Sequence, residues 1–92
     1  MEKEKRVNVI RVAGNSSVKA VAGSITKSFD DKKEVEVYAI GASAVNQATK
    51  ACAMARGFLA TKGYDLVVAP GFSTTVIDGE EKTTIRLVLK LL

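Results

Sequence analysis

The stretch that decides the fold is VEVYAIGASAVNQATKACAMARGFL, residues 35–59, where a strand pattern gives way to a helix pattern. From Val35 to Ala39, small apolar residues alternate with Glu36 and Tyr38, which predicts a strand with one apolar face. The glycine that follows breaks this strand. Apolar residues then recur at helical spacing, which predicts a helix that begins near Ala44 and ends within residues 57–63.

This predicted helix is rich in alanine, so its axis can lie close to a sheet or to another helix. Its apolar stripe consists of Val45, Ala48, Cys52, Ala55 and Leu59. Cys52 is the only cysteine, and the chain has no histidine to activate it. We therefore interpret Cys52 as a buried structural residue, and no intramolecular disulfide can form.

The segment before this stretch predicts a strand and a helix. Residues 7–12 are apolar, contain β-branched side chains and include no breaker, which is typical of a strand. A turn over residues 13–17 follows, and Ser16 or Ser17 can cap a helix. That helix ends within residues 30–33. Its apolar stripe consists of Val18, Val21, Ala22, Ile25 and Phe29.

The segment after the stretch predicts a β-hairpin. Residues 66–69 read as a strand, and Pro70 marks a sheet edge or a bulge because it has no N–H to donate. The strand pattern resumes at residues 74–77, and Asp78–Gly79 is the strongest turn signal in the chain. Alternating leucines then predict the last strand, over residues 83–92.

The resulting order is β-α-β-α-β-β, which predicts an α/β fold of the α+β two-layer sandwich type. The first two strands should pair in parallel, because a helix connects them, and the last two should pair antiparallel. We expect a four-stranded mixed sheet with two helices on one face. We also expect one domain over residues 1–92, with residues 1–6 as a flexible N-terminal extension.

The net charge and its distribution along the chain indicate which kinds of partner the protein can bind. Lysine and arginine outnumber aspartate and glutamate by 14 to 10, a net charge of +4. Residues 5–29 and 37–64 contain no acid, so a fold that places them side by side would form one positive face. No apolar run is long enough to span a membrane, and no signal peptide is evident. We therefore expect a cytoplasmic protein.

Catalytic and metal chemistry find little support in the sequence. Without histidine, and without a convincing pair of acids, we expect no enzymatic activity, no metal site and no small-molecule substrate. The two glycine-containing turns, residues 13–17 and 40–43, allow two interpretations. Each is either a tight turn with a helix cap, or a place where helix N–H groups hold a nucleic-acid phosphate.

Three segments carry a resemblance to a known family: VYAIGASAVNQA (residues 37–48), AMARGFLA (53–60) and IDGEEKT (77–83). They resemble the stage V sporulation protein S family, and the likeness extends over nearly the whole chain from residue 7. The resemblance implies an Alba-like fold, a homodimer or higher homo-oligomer, and RNA or DNA binding in the control of sporulation or cell division. It implies no cofactor.

On this basis we predict a nucleic-acid interface at the helix N-termini and the hairpin. Its candidate residues are Lys19, Ser43, Asn46, Gln47, Lys50, Arg56 and Lys82. Tyr38 and Phe72 could stack on bases, although packing in a core or a dimer explains them as well. The alternative function is a homo-oligomeric protein–protein interaction module that binds no nucleic acid.

Overall fold

A computed structural model describes residues 6–92 of the chain. The predicted N-terminal extension, residues 1–6, lies outside the described residues except for Arg6. The Arg6 carbonyl accepts a hydrogen bond of 2.7 Å from the backbone N–H of Glu34. The basic side chains at positions 3 and 5 also lie outside the described part.

The predicted element order is confirmed in residues 6–92. The elements are β1 (Val7–Val12), α1 (Val18–Asp30), β2 (Glu34–Ala39), α2 (Ala42–Ala60), β3 (Leu66–Ile77) and β4 (Glu80–Leu91). The sheet order is β1-β2-β4-β3; β1 pairs with β2 in parallel, and the other two pairings are antiparallel. This is the predicted four-stranded mixed sheet. None of the helices in this part of the chain is long and apolar enough to cross a membrane.

The core lies between the sheet and the two helices. Alternate residues of β2, Val35, Val37 and Ala39, are buried, as the period of two requires for a strand covered on one face. Leu87 and Leu89 of β4 are buried beside them. The helices contribute Ala22, Ile25, Ala44, Ala48, Ala51, Cys52, Ala55 and Leu59 to this core.

Two serines at the start of α1 have separate roles. The hydroxyl of Ser17 accepts a 3.2 Å bond from the backbone N–H of Ala20 and is the helix cap. The hydroxyl of Ser16 instead accepts a 2.8 Å bond from the N–H of Ala13 and closes the preceding turn. The sequence identified both residues but could not assign which one caps the helix.

Helix α2 begins at Ala42, earlier than the predicted start near Ala44. The reason is Gly41, whose φ of 88° lets the backbone turn directly from β2 into the helix. The alanines of α2 then pack into the core, with Ala48, Ala51 and Ala55 fully buried.

The hairpin corrects two predicted boundaries. Strand β3 is continuous through Pro70, so the predicted interruption there is wrong. Because β3 is an edge strand, it has a pairing partner on one side only and tolerates a residue without an N–H. Asp78 and Gly79, with φ of 53° and 78°, form a tight two-residue turn. Strand β4 therefore begins at Glu80 rather than at residue 83.

The sheet has a second surface, opposite the helices, which we call the open face. It carries the alternate residues whose side chains point away from the core. Several of its apolar side chains, such as Val7, Val9 and Ile40, are exposed. Strand β2 pairs with β4 only as far as Ile85. Residues 73–84, which we call the hairpin arm, therefore extend past the end of β2.

Candidate nucleic-acid interface

Three parts of the chain meet at one edge of the sheet, which we call the helix-start edge. Because β1 and β2 are parallel, both end there and both helices begin there. Because β4 runs antiparallel to β2, the hairpin arm extends from the same edge. The edge comprises residues 13–17, residues 40–43 and the hairpin arm, so the segments proposed from the sequence as an interface lie at one edge, and their binding role stays a prediction.

Two contacts hold the helix N-termini side by side. The side-chain amide of Gln47 donates a 2.9 Å hydrogen bond to the backbone carbonyl of Ser16. Gly14 lies so close to α2 that a β-carbon added to it would be 2.9 Å from the Cβ of Ser43. Only glycine fits there without a shift of one turn against the other. Gln47, predicted as a binding residue, thus has its amide engaged in this internal contact.

Four of the predicted residues lie on the helix layer, three of them in the first turns of the helices and Lys50 about two turns into α2. Ser43, Asn46 and Lys50 are exposed, and their spacing of three and four places them on one face of α2. Lys19 is exposed in the first turn of α1. Within residues 6–92, neither lysine has a carboxylate within 4.0 Å, so both keep their charge free for a ligand.

Arg56 and Lys82 lie apart from this group. Arg56 forms a 3.0 Å ion pair with Asp65, which directly precedes β3. Lys82 lies on the hairpin arm with its side chain toward the open face, 3.1 Å from the carboxylate of Glu80. Both cations therefore already have a partner of opposite charge.

Among residues 6–92, the predicted single positive face does not form. Lys27 pairs with Asp31 at 3.7 Å, and Lys62 pairs with Asp30 at 2.8 Å. Both aspartates lie at the end of α1, which places them next to lysines of the two acid-free segments. Arg11 lies on the open face, whereas Lys19 and Lys50 lie on the helix layer. Among residues 6–92, Arg11 therefore does not share one surface with Lys19 and Lys50.

Arg86 and the row that it completes were not predicted from the sequence. Arg11 pairs with Tyr38 across β1 and β2, and Tyr38 pairs with Arg86 across β2 and β4. The alternation in β4 indicated that Arg86 faces away from the core. Only the register of three strands reveals that it lies beside Tyr38. Phe72, by contrast, is 82% exposed, so it packs in no core of a single chain.

Cys52 is buried, as predicted, and is poorly suited to nucleophilic chemistry. Burial raises the pKa of its thiol to about 11, because desolvation disfavours the thiolate. Among residues 6–92 no cluster of three histidine, cysteine or acidic side chains could hold a metal ion.

Comparison with known proteins agrees with this architecture. The family model for stage V sporulation protein S (SpoVS) matches residues 8–91. Among solved structures, Alba from Thermoplasma volcanium is similar with a TM-score of 0.59 and 12% sequence identity, over 91% of this chain and 98% of that one. At this identity the likeness concerns the fold alone, and it confirms the Alba-like architecture that the resemblance implied.

Proposed function

Because the chain belongs to the stage V sporulation protein S family, we propose that it is a cytoplasmic nucleic-acid-binding regulator that acts in the control of sporulation or cell division. It works as a homodimer or higher homo-oligomer, without catalysis and without a cofactor. The observation that carries this proposal is a pair of lysines without a carboxylate partner among residues 6–92, Lys19 in the first turn of α1 and Lys50 two turns into α2, on two helices whose N-termini are held together by internal contacts.

The start of α2 is the better phosphate site of the two. A helix leaves its first backbone N–H groups without intrahelical acceptors. At α1 the hydroxyl of Ser17 takes one of them, whereas Gly41 offers α2 no side-chain acceptor. Neither helix has an acid in its first turn to compete with a phosphate. The N–H groups of α2 and its positive dipole end therefore favour an anion.

The other predicted residues divide into neutral and secondary contacts. Ser43 and Asn46 supply uncharged hydrogen bonds next to Lys50, which position a backbone without reading its sequence. Gln47 acts indirectly, because it holds the turn before α1 against α2. Arg56 and Lys82 contribute less, because a phosphate must first displace their carboxylate partners.

A double substitution tests this proposal. We expect Lys19→Gln/Lys50→Gln to weaken binding of RNA or DNA by roughly tenfold or more at low salt, because each lysine that contacts a phosphate releases counterions. The slope of log K against log salt concentration should fall by about 1 for each such lysine. Fluorescence anisotropy with labelled oligonucleotides over a salt titration measures both quantities.

The matched control is Lys27→Gln/Lys62→Gln. It removes the same number of charges from the other end of the helix layer, where both lysines are already paired. We expect its affinity and salt slope to stay near those of the wild-type chain. Equal losses in the two double variants would show only a general charge effect and would contradict the proposed surface, and no binding at low salt would reject the function itself.

A second candidate function is a homo-oligomeric interaction module without nucleic acid. Edge strand β3 carries no charged residue over Leu66–Ile77, and natural edge strands usually carry charges that prevent pairing. Phe72 is 82% exposed and Val76 66% exposed on this strand. Such a strand is suited to a second copy of the chain, because a two-fold interface uses the same patch twice.

Sedimentation equilibrium tests this candidate and the assembly state together. We expect the wild-type chain to self-associate at micromolar concentration and Phe72→Asp to shift toward the monomer, because a carboxylate would have to be desolvated in the interface. Phe58→Asp is the control, since Phe58 is exposed on α2 rather than on the edge strand. A monomeric wild-type chain would contradict the interface, and self-association without nucleic-acid binding would favour the module.

A further inference from the structure

The open face carries an aromatic ring between two arginines. In the row that crosses β1, β2 and β4, Tyr38 has Arg11 as its neighbour on one side and Arg86 on the other. Directly opposed residues in a sheet have β-carbons only about 5 Å apart, so the three side chains can act on one ligand. The guanidinium carbon of Arg11 is 5.6 Å from the centre of the Tyr38 ring, within cation–π range.

The ring is held in place, and among residues 6–92 neither arginine is paired with a carboxylate. The Tyr38 hydroxyl donates a 3.0 Å hydrogen bond to the Glu36 carboxylate, and the ring is half-buried. Arg11 and Arg86 are exposed, and neither has a carboxylate within 4.0 Å among residues 6–92. A fixed aromatic plane beside unpaired guanidinium groups is the combination that stacks a base and holds its phosphates.

A depression of about 490 Å³ lies beside this row, toward the hairpin arm. This volume is within the usual range for small-ligand sites. Its border includes Arg11, Gly14, Tyr38, Thr75, Ile77 and Thr84. The depression is therefore bounded by the turn before α1 on one side and the hairpin arm on the other, and it adjoins the helix-start edge.

Two threonines are among the few polar residues that line the depression. The Thr84 hydroxyl, which is almost fully buried, donates a 2.9 Å hydrogen bond to the hydroxyl of Thr75. Thr75 donates no side-chain bond of its own among residues 6–92, so its hydroxyl proton remains for a ligand. The remaining border is largely apolar, which suits a flat ring with polar edges.

A second depression, of about 500 Å³, lies at the opposite end of the sheet and differs in charge. Lys32, Lys33 and Lys90 border it, but so do Glu34 and Glu36. Phe29 and Tyr64 also border it, so this depression too has aromatic rings beside lysines. Its two glutamates make it less favourable for a polyanion than the depression beside Tyr38, whose border among residues 6–92 includes Arg11 and no acid.

We propose that the depression on the open face receives an unpaired base of single-stranded nucleic acid. The base takes the place of the Arg11 guanidinium over the Tyr38 ring, Arg11 and Arg86 contact the adjacent phosphates, and Thr75 donates to the edge of the base. This inference rests on the proposed nucleic-acid function, but it uses a different surface from Lys19 and Lys50. Because Gly14 borders the depression and belongs to the helix-start edge, one strand can pass from one surface to the other.

The test compares single strands with duplexes of the same length, about 12 nucleotides. We expect Tyr38→Leu to weaken single-strand binding by about 5- to 100-fold, because the stacking plane is lost, and to leave duplex binding unchanged. Tyr38→Phe keeps the ring and should bind within about twofold of wild type. Arg11→Gln/Arg86→Gln, at two exposed positions, is a second test that keeps the ring, and it should reduce single-strand affinity and its salt slope.

A single strand that contains 2-aminopurine gives a direct signal, because its fluorescence falls when the base stacks. Quenching by wild type and Tyr38→Phe, but not by Tyr38→Leu, supports the proposal. Equal binding and quenching by all three proteins would overturn it while leaving the Lys19 and Lys50 surface intact. Loss of self-association in Tyr38→Leu would instead identify the open face as an interface between copies and would also overturn it. If wild type binds neither strand nor duplex, the proposed function fails as well.

Discussion

Replacing Leu59 by alanine is expected to lower the free energy of unfolding by about 2–5 kcal/mol. Leu59 is fully buried in the last turn of α2, and it is the largest side chain that this helix contributes to the core. The other buried residues of α2 are alanines and a cysteine, which are too small to move into the space it would leave. The cavity therefore persists. A domain of this size has a total stability of only about 5–15 kcal/mol, so the loss is a large fraction of it.

Urea denaturation followed by circular dichroism measures this effect. Leu92→Ala is the matched control, because it deletes the same atoms from a residue that is 78% exposed. We expect the control to stay within about 0.5 kcal/mol of wild type. Similar losses for the two variants would mean that Leu59 is not the main filler of the space between α2 and the sheet.

The fold was predictable because its elements carry strong periodic patterns. The period of two in β2 and the helical stripes of α1 and α2 identify both the elements and their buried faces. Asp78 and Gly79 identify the hairpin, because aspartate and glycine are among the few amino-acid types that readily adopt left-handed φ. The boundaries were less predictable. Gly41 reads as a break between elements, but its positive φ allows α2 to start at once.

The candidate site was predictable only in part, because a binding surface depends on contacts between distant segments. Helical spacing was enough to group Ser43, Asn46 and Lys50. It could not show that Gln47 bonds to Ser16, or that Arg56 pairs with Asp65.

The row of Arg11, Tyr38 and Arg86 on the open face was even less predictable from local sequence patterns. It needs the register of β1, β2 and β4 together, and a slip of one residue in any strand would turn its side chain to the other face. No local pattern in the sequence specifies that register. The position of Arg86 beside Tyr38 is therefore a property of the assembled sheet rather than of any one segment.

Cys52 is expected to react with thiol reagents far more slowly in the folded chain than in the unfolded chain. Burial raises the pKa of its thiol from 9.0 to about 11, and the thiolate is the reactive form. Near pH 8 this shift alone lowers the thiolate fraction by about 100-fold. Labelling with a chromogenic disulfide, with and without denaturant, measures the ratio. Equal rates would mean that the sulfur is accessible and ionises normally.

The same shift makes stability fall at high pH. Below about pH 9 the thiol is protonated in both states, so it adds no pH dependence. As the pH rises from 9.0 toward 11, the unfolded chain loses this proton while the folded chain keeps it, which favours unfolding. We expect wild type to lose up to about 2–3 kcal/mol relative to Cys52→Ala over this interval. The variant has the same lysines and tyrosines, so their titration cancels in the difference. A difference that stays constant with pH would mean that water reaches the sulfur, contrary to the close approach of α2 to the sheet.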